Sequence, residues 1–487
     1  MEAPVSDEAQ PAARPATFRE VFGQREFRAL FNAAVLSWIG DYMAKAAVTV
    51  MVYQETESVG MSAAAFAVSY LPWLVGGPLL ATVAERSSYR RVMIACDLVR
   101  MVLIALVAVP GLPVWVMLLL LFATTLANPP SQAAKSALMP IILTGDRLVV
   151  GLSVNTSAGQ AAQVAGYVAG AGVAAVSPRL ALFIDAATFA VSAAIIRFGV
   201  RERPPAMARE HRTHLLRETG EGFRFVFGTP VLRATAVLVF TAMLFAIVPE
   251  GLAAAWAAEH AGDEAERGLA QALIMAASPV GFILGGLIIG RTVRPDVRRT
   301  LIRPFAVLAP LALVPALLDP PPAVVAALAA ICGFAVAGLM PVANGLFVQA
   351  LPHGYRARAF GVMATGTQVM QGAAVLATGL LADRFSIPTV VGVWSVAGVL
   401  TMLVTAAQWP SAERFNAAIA EASRRGAPSV PSQPTPGATA AGTAAATTNS
   451  GATTDPAATA APSAPAGAAT PDSPAHRSAP PAGLNAL

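Results

Sequence analysis

The chain contains long runs of apolar residues, each about 18 to 25 residues long, which is the length a helix needs to cross roughly 30 Å of hydrocarbon. Only 13% of its residues are charged and 55% are hydrophobic. An average soluble domain has about 25% charged residues. A soluble core cannot bury so much apolar surface, and the runs therefore predict membrane-spanning helices.

Because a segment in lipid must satisfy its own backbone hydrogen bonds, each run is expected to be helical. We predict an all-α polytopic membrane protein with twelve transmembrane helices. The predicted spans cover residues 27–52, 62–84, 92–110, 113–134, 149–176, 178–198, 233–256, 268–290, 302–319, 322–349, 357–382 and 386–408. Pro129 and Pro130 are expected to kink or end the fourth span.

The distribution of Lys and Arg predicts the orientation, because loops rich in these residues stay cytoplasmic. With the N-terminus inside, the predicted cytoplasmic segments hold most of the 33 Lys and Arg residues, Lys135 and Arg147 among them. The predicted external loops hold Arg179, Arg267 and Arg384. We therefore expect a multi-pass protein of the cell membrane with both termini in the cytoplasm.

The longest internal connection divides the predicted helices into six plus six. The predicted regions are a cytoplasmic arm (1–26), a first six-helix bundle (27–198), a cytoplasmic linker (199–232), a second six-helix bundle (233–408) and a cytoplasmic tail (409–487). From residue 427 the tail is mostly Ala, Pro, Thr, Ser and Gly, with too little apolar content to fold. We expect this segment to be disordered.

The two predicted bundles are related by an internal repeat with a shift of about 210 residues. GGPLLATVAERSSYRR begins at Gly76, and GGLIIGRTVRPDVRR begins at Gly285. Six helices repeated in the same direction predict two bundles related by an axis along the membrane normal. The same shift carries Glu250 onto Asp41, so these two acids are predicted to occupy equivalent positions.

The connection between the second and third spans resembles the loop signature of the major facilitator superfamily, near G-x-x-x-D-R-x-G-R-R. Ala84, Glu85, Arg86, Arg90 and Arg91 occupy the matching places. This chain has Glu85 where the signature has Asp, and one extra residue before the two arginines. The resemblance implies the two-bundle fold of that superfamily and a cytoplasmic gate at this loop.

Other stretches are similar to the bacterial branch of siderophore and macrolide exporters: LSWIGDYMAKAAVTVMVYQET, ACDLVRMVLIALV, LFIDAATFAVSAA, VPEGL and GLLADRF. This resemblance implies a proton-coupled exporter of a small organic molecule. The Gly-Pro step of the antiporter signature is missing, since Tyr167 follows Gly166. A facilitator or importer on the same fold, and a non-transporting sensor or scaffold with a long linker and tail, remain alternatives.

Charged residues inside the predicted spans are candidates for function, because a charge at mid-bilayer costs about 2.5 to 3.5 kcal/mol on insertion scales. Asp41 and Lys45 lie four residues apart on one face of the first span. With Glu250 they form the candidate site for proton coupling or substrate binding, facing one central cavity. A purely structural salt bridge between Asp41 and Lys45 is the open alternative.

Two further groups of polar residues are candidates of lesser weight. Asp97 and Arg100 in the third span are expected to form a structural or gate pair, and Asp185 to serve helix packing. Uncharged residues that could line a substrate path, or only join helices, are Asn32, Asn128, Gln160, Gln163, Asn344 and Gln368.

The chain has no phosphate-binding G-x-x-x-x-G-K-[ST] motif, so a gradient rather than ATP is expected to drive it. It also has no Ser-His-Asp, Cys-His or H-E-x-x-H constellation, and we expect neither an enzyme nor a cofactor or metal site. The expected partners are a small-molecule substrate, the proton gradient and the lipid bilayer, not nucleic acid. We expect a monomer.

Cysteine labelling tests the predicted orientation. In a background without Cys96 and Cys332, single cysteines at Ser87 and Thr213 should react with an impermeant probe only from the cytoplasm, and one at Gly262 only from outside. The reverse pattern would contradict the orientation.

Overall fold

The structure is a computed structural model that describes residues 17–73, 87–203, 215–352 and 356–426. Over these ranges the chain forms helices and no β-strand. The predicted all-α fold is confirmed.

Helices in the described ranges overlap each of the predicted spans, and outside the second span their ends differ by up to about eight residues. We number the membrane helices α1 (Arg25–Thr56), α2 (Val59–Val68), α3 (Tyr89–Val107), α4 (Val114–Ile142), α5 (Asp146–Val176), α6 (Pro178–Gly199), α7 (Pro230–His260), α8 (Glu264–Thr292), α9 (Pro295–Leu311), α10 (Pro322–Gln349), α11 (Arg356–Ala382) and α12 (Ile387–Ala407). Residues 74–84 of the second predicted span lie outside the described residues.

Eight helices in the described ranges are both long enough and apolar enough to cross a membrane: α1, α4, α6, α7, α8, the segment Val297–Leu318 that contains most of α9, α10 and α12. The other four have visible reasons to fall short. Helix α3 carries Arg90, Arg91, Asp97 and Arg100, and α5 and α11 are rich in Gly, Ser, Thr and Gln. Helix α2 is described over ten residues only. The fold is that of an all-α polytopic membrane protein.

Two membrane helices are interrupted at prolines. Helix α4 turns at Ala127, before Pro129 and Pro130, and resumes to Ile142, so the predicted kink is confirmed. Helix α7 is interrupted at Ile247, before Pro249. A proline lacks the amide hydrogen of a regular helix, and neighbouring helices satisfy the freed groups. The second interruption places Glu250 in the first turn of a new helical segment.

The helices pack as two groups that meet along two seams. In the first group α1 packs on α5 and α6, and in the second α10 packs on α8 and α9. Between the groups α5 lies on α8, and α2 lies on α11. At the first seam a Cβ on Gly268 would come within 2.8 Å of the Ala175 methyl carbon, and at the second Gly379 packs directly on Ala63. Small residues allow this close approach in membrane helices.

Three further helices lie outside the membrane spans: Phe18–Gly23, Leu215–Gly228 and Ala412–Gly426. The second lies in the predicted linker (199–232), and it is joined to α11 by an ion pair of 3.0 Å between Glu221 and Arg358. The third lies in the predicted tail, where buried Phe415 packs on Trp409 at 5.3 Å between ring centroids. The predicted disordered segment 427–487 lies outside the described residues.

The crossing of α8 and α10 predicts a strict requirement for glycine at Gly333. A Cβ there would overlap the carbonyl oxygen of Ser278. Gly333→Ala should therefore force the helices apart and lower the melting temperature in detergent, at a cost of more than the roughly 1 to 3 kcal/mol typical of overpacking. Gly345→Ala on the same helix is the control, since a Cβ at Gly345 meets nothing within 4 Å. Equal melting temperatures would contradict this close crossing.

Candidate functional site

A cavity of about 180 Å³ lies among the helices of the first group, with one residue of α11 at its edge. Helix α1 contributes aromatic and charged side chains, and α4 contributes hydroxyls and amides. The polar and aromatic lining consists of Trp38, Asp41, Tyr42, Lys45, Ser69, Trp73, Thr124, Thr125, Asn128, Gln132, Asp185 and Gln368. The predicted candidates Asp41, Lys45, Asn128 and Gln368 are thus brought together.

Arg100 of α3 donates a hydrogen bond to the Asp41 carboxylate and forms an ion pair with it. The Arg100 side chain is 1% exposed, and that of Asp41 is 23% exposed toward the cavity. The Arg100 guanidinium also lies 4.1 Å from the ring centroid of Phe189. Arg100 thus makes its direct ion pair with Asp41 rather than with its expected partner Asp97, and the alternative of a structural Asp41–Lys45 salt bridge has no direct ion pair in the described structure. Sequence spacing identifies neighbours on one helix, whereas this partner lies on another.

Lys45 has an aromatic environment. Its ammonium lies 4.7 Å from the ring centroid of Tyr70, 5.4 Å from that of Tyr42 and 5.5 Å from that of Phe66. Aromatic faces attract a cation, more strongly where water is excluded. Lys45 also interacts electrostatically with both Asp41 and Glu250, so it links the two acids that the repeat relates.

Glu250 lies between the two groups of helices rather than in the cavity lining. Its side chain is 5% exposed. The Tyr167 hydroxyl donates to Glu250 Oε2 at 3.0 Å, and Gln163 Nε2 donates to the same oxygen at 3.4 Å. These two donors belong to α5, and Ser278 of α8 also hydrogen-bonds the carboxylate. The expectation that Glu250 faces the same cavity as Asp41 is therefore corrected, because α5 covers this carboxylate.

Glycines of α5 bring Tyr167 into position. A Cβ on Gly166 would come within 2.7 Å of the Ile39 carbonyl oxygen, and one on Gly170 within 2.7 Å of the Met43 carbonyl oxygen. Helix α5 therefore lies directly on α1. The residue that departs from the Gly-Pro step, Tyr167, is the one that donates to Glu250.

Asp185 and Asp97 are buried acids of the first group. Thr188 donates to an Asp185 carboxylate oxygen at 3.2 Å, and the same oxygen packs against Gly40. Ser192 donates to Asp97 Oδ2 at 2.7 Å, whereas Asp97 Oδ1 has no hydrogen-bond partner among the described residues.

Lys135 was expected in a cytoplasmic connection, and the structure places it inside α4, 9% exposed. The helix continues past Pro130 to Ile142, which carries Lys135 into the bundle. There it interacts electrostatically with Asp97. The sequence signal for this position is that Lys135 comes only five residues after Pro130, which interrupts the apolar run without ending the helix.

The remaining polar candidates divide by location. Gln163 binds Glu250, while Gln160 is half-buried outside the cavity lining, and Asn32 and Asn344 are exposed outside it. Within the described ranges, no three His, Cys, Asp or Glu side chains are placed to hold a metal ion.

The predicted gate loop is described in part, since Glu85 and Arg86 lie outside the described residues. Arg91 Nε lies 2.5 Å from Glu202 Oε1, and Arg90 Nη1 lies 3.7 Å from Glu202 Oε2. Arg90 also donates to the carbonyl of Arg197 at 2.6 Å. The paired arginines thus join the start of α3 to the end of α6.

Asp383, at the end of α11, joins the two groups at the opposite end. It accepts hydrogen bonds from Ser58 Oγ at 3.1 Å and from the Gly60 amide at 2.9 Å. A carboxylate at a helix start binds unsatisfied backbone N–H groups. No sequence spacing connects Asp383 to Ser58, and this contact was not predicted.

Residues 30–317 match the family model of the Major Facilitator Superfamily. The fold is similar to that of a POT family transporter in complex with 5-aminolevulinic acid (TM-score 0.62, 12% identity, 78% of this chain and 95% of that one). It is also similar to the nucleoside transporter NupG (TM-score 0.62, 14% identity, 78% of this chain and 100% of that one). A third similar structure is a bacterial homologue of the human lysosomal transporter Spinster (TM-score 0.57, 14% identity, 82% of this chain and 96% of that one). No curated protein matches the chain at a significant level.

The Asp41–Arg100 pair predicts a specific pattern of rescue. Asp41→Asn leaves buried Arg100 without its ion-pair partner, and the more distant Asp97 and Asp185 are the remaining acids near it among the described residues. This change should cost up to about 3 to 5 kcal/mol and lower the melting temperature in detergent. Adding Arg100→Met should restore most of the loss, because the uncompensated charge is removed. Adding Lys45→Met instead should not. Rescue by Lys45→Met alone would make Lys45 the partner of Asp41.

Proposed function

The chain belongs to the Major Facilitator Superfamily and is a membrane transporter, and we propose that it is a proton-coupled exporter of a small organic molecule that works by alternating access. In this proposal Asp41, Lys45 and Glu250 couple proton movement to the exposure of the cavity. The substrate occupies the cavity lined by α1 and α4.

The observation that carries the proposal is the position of Glu250 between the two halves. Its carboxylate belongs to α7 of the second half, and the donors Tyr167 and Gln163 belong to α5 of the first, while Ser278 of α8 adds a hydrogen bond from its own half. Hydrogen bonds to an ionised acceptor are roughly twice as strong as neutral ones. Protonation of Glu250 would therefore weaken a contact that must break when the halves rock. A proton bound at Glu250 thus favours separation at this point.

Lys45 supplies the connection from Glu250 to the cavity. It lines the cavity and interacts electrostatically with both Asp41 and Glu250. A substrate that changes the charge near Asp41 changes how strongly the Lys45 ammonium is attracted to Asp41 relative to Glu250. Substrate binding and proton binding would then compete through one lysine, which is the requirement for exchange.

Two contacts are proposed as gate elements. The loop from Glu85 to Arg91 acts on the cytoplasmic side, because its arginines fix the start of α3 to α6. The Asp97 and Arg100 positions stiffen the same helix. On the external side Asp383 closes the seam between α2 and α11.

We place the protein in the cell membrane as a monomer, with both termini in the cytoplasm. The distribution of Lys and Arg supports this orientation. Under it the close seams at Gly268 and Gly379 lie on the external side.

Everted membrane vesicles test the function. After energisation, acridine orange is quenched by the acidic interior, and a substrate of a proton-coupled exporter should partly reverse the quenching. We expect this response with at least one compound from a panel of macrolides, siderophore chelates and ethidium. Equilibration of a compound without dequenching would instead support the facilitator alternative. Vesicles in which no compound moves would favour the sensor alternative.

Glu250→Gln should abolish dequenching while compound exchange without a gradient persists. The amide keeps an oxygen that accepts from Tyr167, but it cannot release a proton. Glu259→Gln is the control, because Glu259 lies on the same helix outside the cluster of Asp41, Lys45 and Glu250, which we call the acid–lysine cluster. Full dequenching by Glu250→Gln, or an equal loss with Glu259→Gln, would contradict the assignment.

A further inference from the structure

A second cavity, of about 380 Å³, lies where α8, α9 and α10 meet, away from the acid–lysine cluster. It is formed by the end of α8, the first turns of α9 and the last turns of α10. The transport proposal assigns no role to it.

This second cavity is a groove whose walls are apolar side chains and glycines with free space around them. Ile289, Pro341 and Val342 supply apolar surface. A Cβ on Gly286, Gly290 or Gly345 would meet no atom within 4 Å. Beside the two α8 glycines, Leu287 and Ile288 are about half exposed, at 50% and 49%. A flexible hydrocarbon chain could therefore lie along the helices without displacing a side chain.

One end of the groove is cationic. Arg298 and Arg299 line it, and none of the lining residues whose side chains are described is acidic. Arg298 donates to the carbonyl oxygens of Gly290 at 2.6 Å and Val293 at 2.7 Å, which fixes its guanidinium at the groove. Arg299 is exposed and makes no ion pair with a residue whose side chain is described. Two guanidiniums beside an apolar channel complement a ligand with a phosphate and an acyl chain.

We propose that this groove binds an anionic phospholipid, with the phosphate at Arg298 and Arg299 and one acyl chain along the glycines of α8 and α10. Basic pockets between membrane helices bind anionic head groups in this way. A zwitterionic lipid offers the same chain without the net charge. A soluble phosphate ester offers the charge without the chain. The two arginines therefore require a negative charge on the ligand, and the apolar channel requires an acyl chain.

Native mass spectrometry of the purified full chain in detergent tests the charge requirement. Phosphatidylglycerol should bind more tightly than phosphatidylcholine with the same acyl chains. Arg299→Gln should weaken phosphatidylglycerol binding about fivefold, the value of one basic residue at a membrane surface. Arg294→Gln is the control, since Arg294 is an exposed arginine of the same connection outside the groove lining. Equal binding of both lipids, or an equal effect of the two substitutions, would overturn the proposal.

A second pair of variants tests the acyl channel. Gly345→Leu fills the groove and should weaken phosphatidylglycerol binding by a similar factor. Gly361→Leu is the matched control, because Gly361 is also open around its Cα but lies on α11. Melting temperatures confirm that each variant is folded. Unchanged phosphatidylglycerol binding by Gly345→Leu would show that no acyl chain lies in the groove and would overturn the proposal. Displacement of the lipid by glycerol phosphate at equal concentration would show a site for free phosphates and would also overturn it.

Discussion

A charge inside hydrocarbon needs a partner, and this requirement organises the first half of the protein. Arg100 is almost fully buried, and its ion pair with Asp41 ties α3 to α1. Gly40 lets Asp185 of α6 approach the same turn of α1. Truncating one member of a buried pair leaves the other uncompensated, which costs more than the intact pair contributes. The three helices are thus held in register by charge as well as by packing.

Much of the architecture could be predicted from sequence because it depends on length and periodicity. Apolar runs long enough to span a bilayer locate the helices. The partners of Asp41 and Glu250 could not be predicted. Spacing of four residues places Lys45 beside Asp41, but Arg100 reaches Asp41 from another helix. Which helix lies close enough is decided by glycines such as Gly40 and Gly166, whose effect is visible only in three dimensions.

The two errors of position have a common physical cause. Lys135 was placed in a connection, although α4 continues past its proline interruption. Glu250 was placed in the cavity, although the interruption of α7 and the cover of α5 turn it toward Tyr167. A proline in a membrane helix redirects the chain without ending it, because adjacent helices satisfy the freed carbonyl groups. Sequence alone does not give the new direction.

The contacts within a half differ in kind from those between halves. Within the first half, Asp41 and Arg100 form an ion pair. Between the halves, neutral donors hydrogen-bond the carboxylates of Glu250 and Asp383, and Gln271 of α8 donates to the Ala46 carbonyl at 3.0 Å. Lys45 interacts electrostatically with Glu250 across the halves, but the two described side chains make no direct ion pair. Single hydrogen bonds of this sort contribute about 0.5 to 3 kcal/mol each. In the proposed alternating-access cycle, such contacts would be exchanged for water at modest cost as the halves separate, whereas the ion pair inside a half would persist. That contrast would let each half move as a rigid body while the interface between them opens and closes.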